Sequence, residues 1–236
     1  MSKILLIETA TAVCSVAIAF SGKVVAVEEM PECPKHTAIL PLQIQQCLRA
    51  ANISPSHLDA IAVSAGPGSY TMLRTGASLA KGMCYALHKP LIAVNTLQAI
   101  AWGAKTLWQP TAQNTIPLYM PMLDARRNEV WTALYDQDLK EITPQSPLIL
   151  ERNLFEKYIE PYQNADYLVI CGNGVAKMPD VQKIKTTVLS AVISCSASWL
   201  AVLAETKWQL QEFEKIADFE PFYMKDPNIT TPAKFS

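Results

Sequence analysis

Charge is scarce in this chain. Only 17% of its 236 residues are charged, against 50% hydrophobic, and 20 basic with 21 acidic side chains leave a net charge of −1. A protein that grips a polynucleotide by itself carries a basic excess or stripe to neutralise phosphates. Its lack here argues against nucleic-acid binding by this chain alone. The shortage of charge fits a surface covered by another chain, and it also fits a large core. No apolar run reaches the roughly 18 residues of a membrane span, and Met1-Ser2-Lys3 passes straight into a strand-like segment without a cleavable small-residue site. A soluble, cytoplasmic protein with no membrane attachment is therefore expected. The six cysteines, Cys14, Cys33, Cys47, Cys84, Cys171 and Cys195, include no Cys-x-x-Cys pair. Thiols scattered through a chain of this length read as reduced cysteines, not as a disulfide framework.

Motifs that carry chemistry are equally sparse. Gly66-Pro67-Gly68-Ser69-Tyr70-Thr71 lacks the Gly-Lys-Ser/Thr of a phosphate loop and the third glycine of a dinucleotide fingerprint, and Pro67 removes one backbone donor. It does precede a helix, so an anion site and a purely structural strand-to-helix turn both stay open. No Gly-x-Ser-x-Gly elbow is present, and Ser69 is out of phase with one, so a peptidase or other serine hydrolase has no visible constellation. The three histidines, His36, His57 and His88, are dispersed. Cys33-x-x-His36 has ligand spacing, but with no second pair in view no metal site is expected; the pair reads as a loop cysteine and a helix-start histidine.

The elements follow from periodicity. Residues 4–7, 15–20 and 24–28 are strand-like, the last two joined by the turn Ser21-Gly22-Lys23. Over residues 37–51 the period changes: Leu40, Ile44, Cys47, Leu48 and Ala51 share one helical face, with Pro41 expected near the first turn. Ser54-Pro55 predicts a short turn. Residues 60–63 and 91–94 are fully apolar, suited to strands buried on both faces, and residues 72–87 and 96–107 are helical. The order β-β-β-α-β-α-β-α is a compact α/β layer unit. The second half repeats this grammar less regularly: strands over 118–123, 130–135 and 167–171, helix over 154–158 and 198–213, and an irregular arm over 221–236. The chain is therefore divided into two similar lobes, 1–107 and 108–236.

Four blocks taken in order carry a family resemblance: Ile7-Glu8-Thr9-Ala10, Gly66-Pro67-Gly68-Ser69-Tyr70-Thr71-Met72-Leu73-Arg74-Thr75-Gly76, Val94-Asn95-Thr96-Leu97 and Asp124-Ala125-Arg126-Arg127-Asn128-Glu129-Val130, closed by Pro221-Phe222-Tyr223-Met224-Lys225. The sequence resembles the bacterial TsaB (YeaZ) family, accessory subunits in the formation of threonylcarbamoyladenosine in tRNA. The resemblance implies an α/β, two-lobed actin/Hsp70/sugar-kinase-like (ASKHA) fold with two βββαβα-type lobes. It implies a heterodimer with the catalytic paralogue TsaD, TsaE in a ternary complex, a homodimer when alone, and tRNA met only through the complex. TsaD carries a metal-binding His-x-x-x-His after the strand matching residues 91–94; here those positions are Thr96 and Ile100, neither able to replace an imidazole, so no catalytic residue and no metal are assigned. Glu8, Thr9, Gly66 and Gly68 occupy the place of a nucleotide site in this fold class. Glu8 is longer than the usual Asp and has no glycine beside it, so the site reads as vestigial, with no cofactor of its own and a nucleotide only at the interface with partners. A stand-alone ATP-binding or ATP-hydrolysing enzyme is the alternative.

If chemistry is missing, a docking surface should be present. In the family the helices matching residues 37–51 and 72–87 pair with TsaD or with a second copy. Leu40, Ile44, Cys47, Met72, Gly76, Ala77, Ala80 and Lys81 are the residues expected there, because helical glycines cost about 1 kcal/mol each and small side chains let another helix approach. Packing on the chain's own sheet is the competing reading of the same residues. Asp124-Ala125-Arg126-Arg127-Asn128-Glu129 is a charged turn that could meet phosphate or an acidic partner, though local pairing is the simpler expectation.

Overall fold

A computed structural model describes residues 1–108, 116–151, 156–158, 160–162, 165–178, 187–191 and 193–223. Five strands, β1 (Lys3–Glu8), β2 (Cys14–Phe20), β3 (Lys23–Met30), β4 (Ala60–Ser64) and β5 (Leu91–Val94), form one sheet in the order β3-β2-β1-β4-β5. β1 runs antiparallel to β2 and parallel to β4, which is parallel to β5. A second sheet of β6 (Pro117–Asp124), β7 (Glu129–Tyr135), β8 (Glu141–Ile149), β9 (Tyr167–Cys171) and β10 (Thr187–Ala191) has the order β10-β9-β6-β7-β8. Read in reverse, β8-β7-β6-β9-β10, this is the first sheet repeated, with β6 in the place of β1. The duplication shows the two-lobed α/β fold.

The period-two alternation of the strands assigns each face its cover. Leu5, Ile7, Val16, Ile18, Ile61 and Val63 point to the face packed by α1 (His36–Ala50) and α2 (Tyr70–Leu87). Their neighbours Ile4, Leu6, Ala17, Ala60 and Ala62 point to the opposite face. Both faces are covered, which is why residues 4–7 and 60–63 are apolar without a break. α3 (Thr96–Leu107) lies between the sheets: Ala99 joins the first core, while Leu97, Ile100, Ala101 and Ala104 pack with Tyr119, Leu123 and Trp131 of the second.

Three expectations need correction. The second lobe does not hold all of 108–236. Leu200, Ala201 and Ala204, in a 3-10 turn and α4 (Ala201–Gln209), cover the far face of the first sheet, Phe219 enters its core, and Glu214 bridges to Leu91. The physical reason is that this face would otherwise stand bare beside α3. Second, Pro41 sits beyond the first turn of α1, because the helix already starts at His36; the bond its missing N–H forfeits is the one to the Thr37 carbonyl. Third, β8 and β10 are strands that the pattern does not show. β8 contains Pro144 and Pro147 but is an edge strand bonded only to β7, where proline is tolerated. Of the helix expected over 154–158 the structure describes residues 156–158 as helical, and residues 224–236 of the arm lie outside the described residues.

Candidate functional site

The end of β1 and the loop after β4 bring Glu8, Thr9 and Gly68 together in a closed arrangement, while Gly66 lies against the Phe222 carbonyl. Glu8 is buried, and the Ala10 N–H donates to its carboxylate at 2.6 Å. Burial pushes the Glu8 carboxyl up from 4.5 to about 7, and bonds from Ala10, Ser64 and Thr9 pull it down only in part. The Ala10 carbonyl accepts from Ser69 N–H at 2.7 Å, so the N-terminal end of α2 is engaged by the chain itself. A Cβ on Gly68 would lie 2.6 Å from the Ala10 oxygen, and one on Gly76 would lie 2.2 Å from Thr9 Oγ1. Glycine at both positions is what lets the β1–β2 connection seat on α2. Gly76 thus has its reason inside the monomer; Gly82 has none, since nothing lies within 4 Å of a Cβ there.

α3 begins where the resemblance set two histidines against Thr96 and Ile100. Asn95 caps the helix, its side chain accepting from Gln98 N–H at 3.1 Å, and Thr96 N–H donates to the Gly66 carbonyl at 2.9 Å. Thr96 is fully buried and Ile100 is 1% exposed. Both side chains are packing residues of the inter-lobe helix.

The expected docking residues are placed differently from the expectation. Leu40, Ile44, Cys47, Ala77 and Ala80 are buried against the first sheet, and Gly76 is buried against Thr9. Their periodicity marks the inner face of each helix. Lys81 is engaged as well, its Nζ donating to the Ala217 and Phe219 carbonyls at 3.1 and 2.9 Å, and Met72 is half-buried. What α1 and α2 offer to solvent is the seam between them. A groove of about 600 Å³ is lined by Thr37, Pro41, Tyr70, Arg74, Ser78 and Leu79, with Leu40 the one expected residue that reaches it. At one end Arg74 Nη1 donates to the Tyr70 hydroxyl at 2.6 Å, and the Tyr223 ring packs tilted against Tyr70 with centroids 4.6 Å apart. Leu42 and Tyr85, 56% and 79% exposed, stand on the same two helices.

Two further clusters gather charged or ligating side chains. In the β6–β7 turn Asp124 pairs with Lys177, which also donates to the Arg127 carbonyl at 2.8 Å, while Arg126 and Arg127 are exposed at φ 68° and 49°. Elsewhere Cys14 joins the pair Cys33 and His36: one ligand atom from each lies within 4.8 Å of the others, and all three residues are buried. Cys14 was hidden from sequence reading because the register of β2 against β3, 19 residues of chain apart from Cys33, is what brings it there.

Two duplicated mixed sheets with the inter-lobe helix define a protein of the actin/Hsp70/sugar-kinase-like class. The fold overlays that of a ROK hexokinase from Thermus thermophilus with a TM-score of 0.53 at 9% identity, covering 89% of this chain and 99% of that one. Closer in shape is YeaZ from Pseudomonas aeruginosa, with a TM-score of 0.78 and 26% identity over 94% of this chain and all of that one. The family model for TsaD, tRNA N6-adenosine threonylcarbamoyltransferase, matches residues 31–234. The tRNA threonylcarbamoyladenosine biosynthesis protein TsaB of Escherichia coli (strain K12) is 33% identical over 191 residues, which is 79% of this chain and 78% of that protein. The chain belongs to this TsaD-type family and, within it, to the TsaB proteins of tRNA threonylcarbamoyladenosine biosynthesis.

Proposed function

We propose that this chain is a non-catalytic subunit in threonylcarbamoyladenosine formation that acts by docking a TsaD partner on the outer face of α1 and α2. TsaE joins through that complex, tRNA is met only there, and the free chain pairs with a second copy across the same face. The observation that carries the reading is the groove of about 600 Å³ between the two helices, which also carry the exposed Leu42 and Tyr85. Leu40, Pro41 and Leu79 beside Arg74 and Ser78 give the mixture of apolar and polar groups found in protein interfaces. Two features support the absence of chemistry in this chain. The β1–β2 turn and the loop after β4 bond to each other, and Thr96 and Ile100 offer no metal ligand. Such a contact alters catalysis only by favouring one state of the partner.

The test separates face from core. Ser78→Arg places a large charge in the groove at an exposed helical position, so the chain should fold as before yet lose the mixed complex with TsaD in light-scattering chromatography. Ala80→Asp buries a charge in the first core and should fail to fold. A Ser78→Arg variant that still forms the TsaD complex at wild-type affinity would move the docking site elsewhere.

A further inference from the structure

Cys14, Cys33 and His36 form the one cluster among the described residues in which three soft or borderline ligands converge. Each comes from a different element. Cys14 opens β2, Cys33 lies in the link between β3 and α1, and His36 is the first residue of α1. Cys33 N–H donates to the Ala12 carbonyl at 2.9 Å, which fixes the link against the β1–β2 connection. Their exposures are 0%, 6% and 6%. No group of the proposed docking face or of the turn around Glu8 takes part.

We infer that Cys14 Sγ, Cys33 Sγ and a ring nitrogen of His36 bind a zinc ion that fastens the start of α1 to the β1–β2 connection. The geometry needs little change. Tetrahedral zinc with thiolate and imidazole ligands sets its donor atoms about 3.5–3.8 Å apart. From separations within 4.8 Å, each pair closes by about 1.3 Å at most. A histidine ligand normally donates its second ring N–H to a carbonyl, which orients the ring. His36 Nε2 lies 3.2 Å from the Val13 carbonyl, and a proton on Nε2 leaves the Nδ1 lone pair free. Charge selects the cation. The two thiols release two protons to solvent, and two thiolates with a neutral imidazole and Zn²⁺ sum to zero, the condition for burial without a large solvation cost. A monovalent soft ion would leave a buried negative charge, and a hard divalent ion prefers oxygen. The fourth zinc position is left to water, which keeps the sum at zero.

The experiment uses the full chain, reduced and stripped of metal. Cobalt(II) added without oxygen should give a thiolate-to-cobalt charge-transfer band and a tetrahedral visible envelope, saturating at one equivalent and abolished by Zn²⁺. Cys33→Ser should lose the charge-transfer intensity, and Cys171→Ser, in the second lobe, should keep it. Because either variant could fold poorly, the wild type gives a second readout. Zinc a hundredfold above its Kd should raise Tm by about 5–10 °C, and Mg²⁺ should not. Absence of both the cobalt bands and the zinc-dependent Tm rise in fully reduced wild-type protein would overturn the inference. So would recovery of a Cys14–Cys33 disulfide from chain purified with zinc and reductant.

Discussion

The buried Glu8 carboxyl makes folding stability depend on pH in a direction opposite to that of a salt-bridged acid. Its native pKa is raised from 4.5 to about 7 by burial. Between those values the native state holds a proton that the unfolded chain has lost. More protons bound in the native state means that stability falls as pH rises. The full cost, reached above the native pKa, is about 3 kcal/mol, and the part that develops between pH 5 and pH 8 is about 2–3 kcal/mol. For a chain of this size that is a fall of about 5–10 °C in Tm. Glu8→Gln keeps an oxygen to accept the Ala10 N–H and has no proton to lose. Urea unfolding of both proteins at pH 5, 6, 7 and 8 gives a difference curve in which all other titrating groups cancel. Cys195, whose thiol is raised by its own burial and then by Glu8, stays protonated throughout and adds no slope. The variant should gain on the wild type by about 2–3 kcal/mol from pH 5 to pH 8. Curves that stay parallel within about 0.5 kcal/mol would show that Glu8 ionises normally, and the closed arrangement around it would have to be abandoned.

The glycines of α2 should respond in opposite directions. Gly82→Ala, at an exposed helical position with open space, should stabilise by about 0.5–1 kcal/mol in urea unfolding. Gly76→Ala should cost about 1–3 kcal/mol by overpacking against Thr9, and Thr9→Ala in the same chain should return part of it, which a double-mutant cycle measures. Leu200→Ala opens the far face of the first sheet and should cost about 2–5 kcal/mol, seen as an earlier unfolding midpoint with circular dichroism.

Sequence pattern reveals which residues are inward and says little about what covers them. Residues 4–7, 60–63 and 91–94 were legible as strands because both of their faces are buried. The inner stripes of α1 and α2 were equally legible, yet Ala77 and Ala80 were assigned to a partner when their cover is the chain's own sheet. The return of residues 197–223 to the first lobe leaves no local mark, since Leu200, Ala201 and Ala204 read the same whichever sheet they meet. β8 was hidden by Pro144 and Pro147, whose edge position only the pairing reveals. Thr96 and Ile100 are buried in the inter-lobe helix, a placement that their own side-chain types suit. The convergence of Cys14 with Cys33 and His36 is not local, and no spacing rule reaches across a strand pair.

The duplication bears on two readings of Gly66-Pro67-Gly68. A phosphate cradle needs free backbone donors at the start of a helix. The second lobe has Gly172-Asn173-Gly174 just after β9, the counterpart of β4, and there a short 3-10 turn, Asn173–Lys177, stands instead of a long helix. Gly66 and Gly172 adopt φ of +100° and +102°. A Cβ on Gly68 would meet Ala10, which follows β1; one on Gly174 would meet Met122 of β6 and Val130 of β7, in the corresponding hairpin. The shared requirement is close seating of the turn after the fourth strand on the hairpin of the first two. Gly68→Ala and Gly174→Ala should therefore each destabilise by about 1–3 kcal/mol in urea unfolding without any ligand present. A Gly68→Ala variant as stable as the wild type would show that the loop is free of Ala10, with its donors open to an anion. Loss of stability in both variants makes the repeated Gly-x-Gly a device of the fold, used once in each lobe.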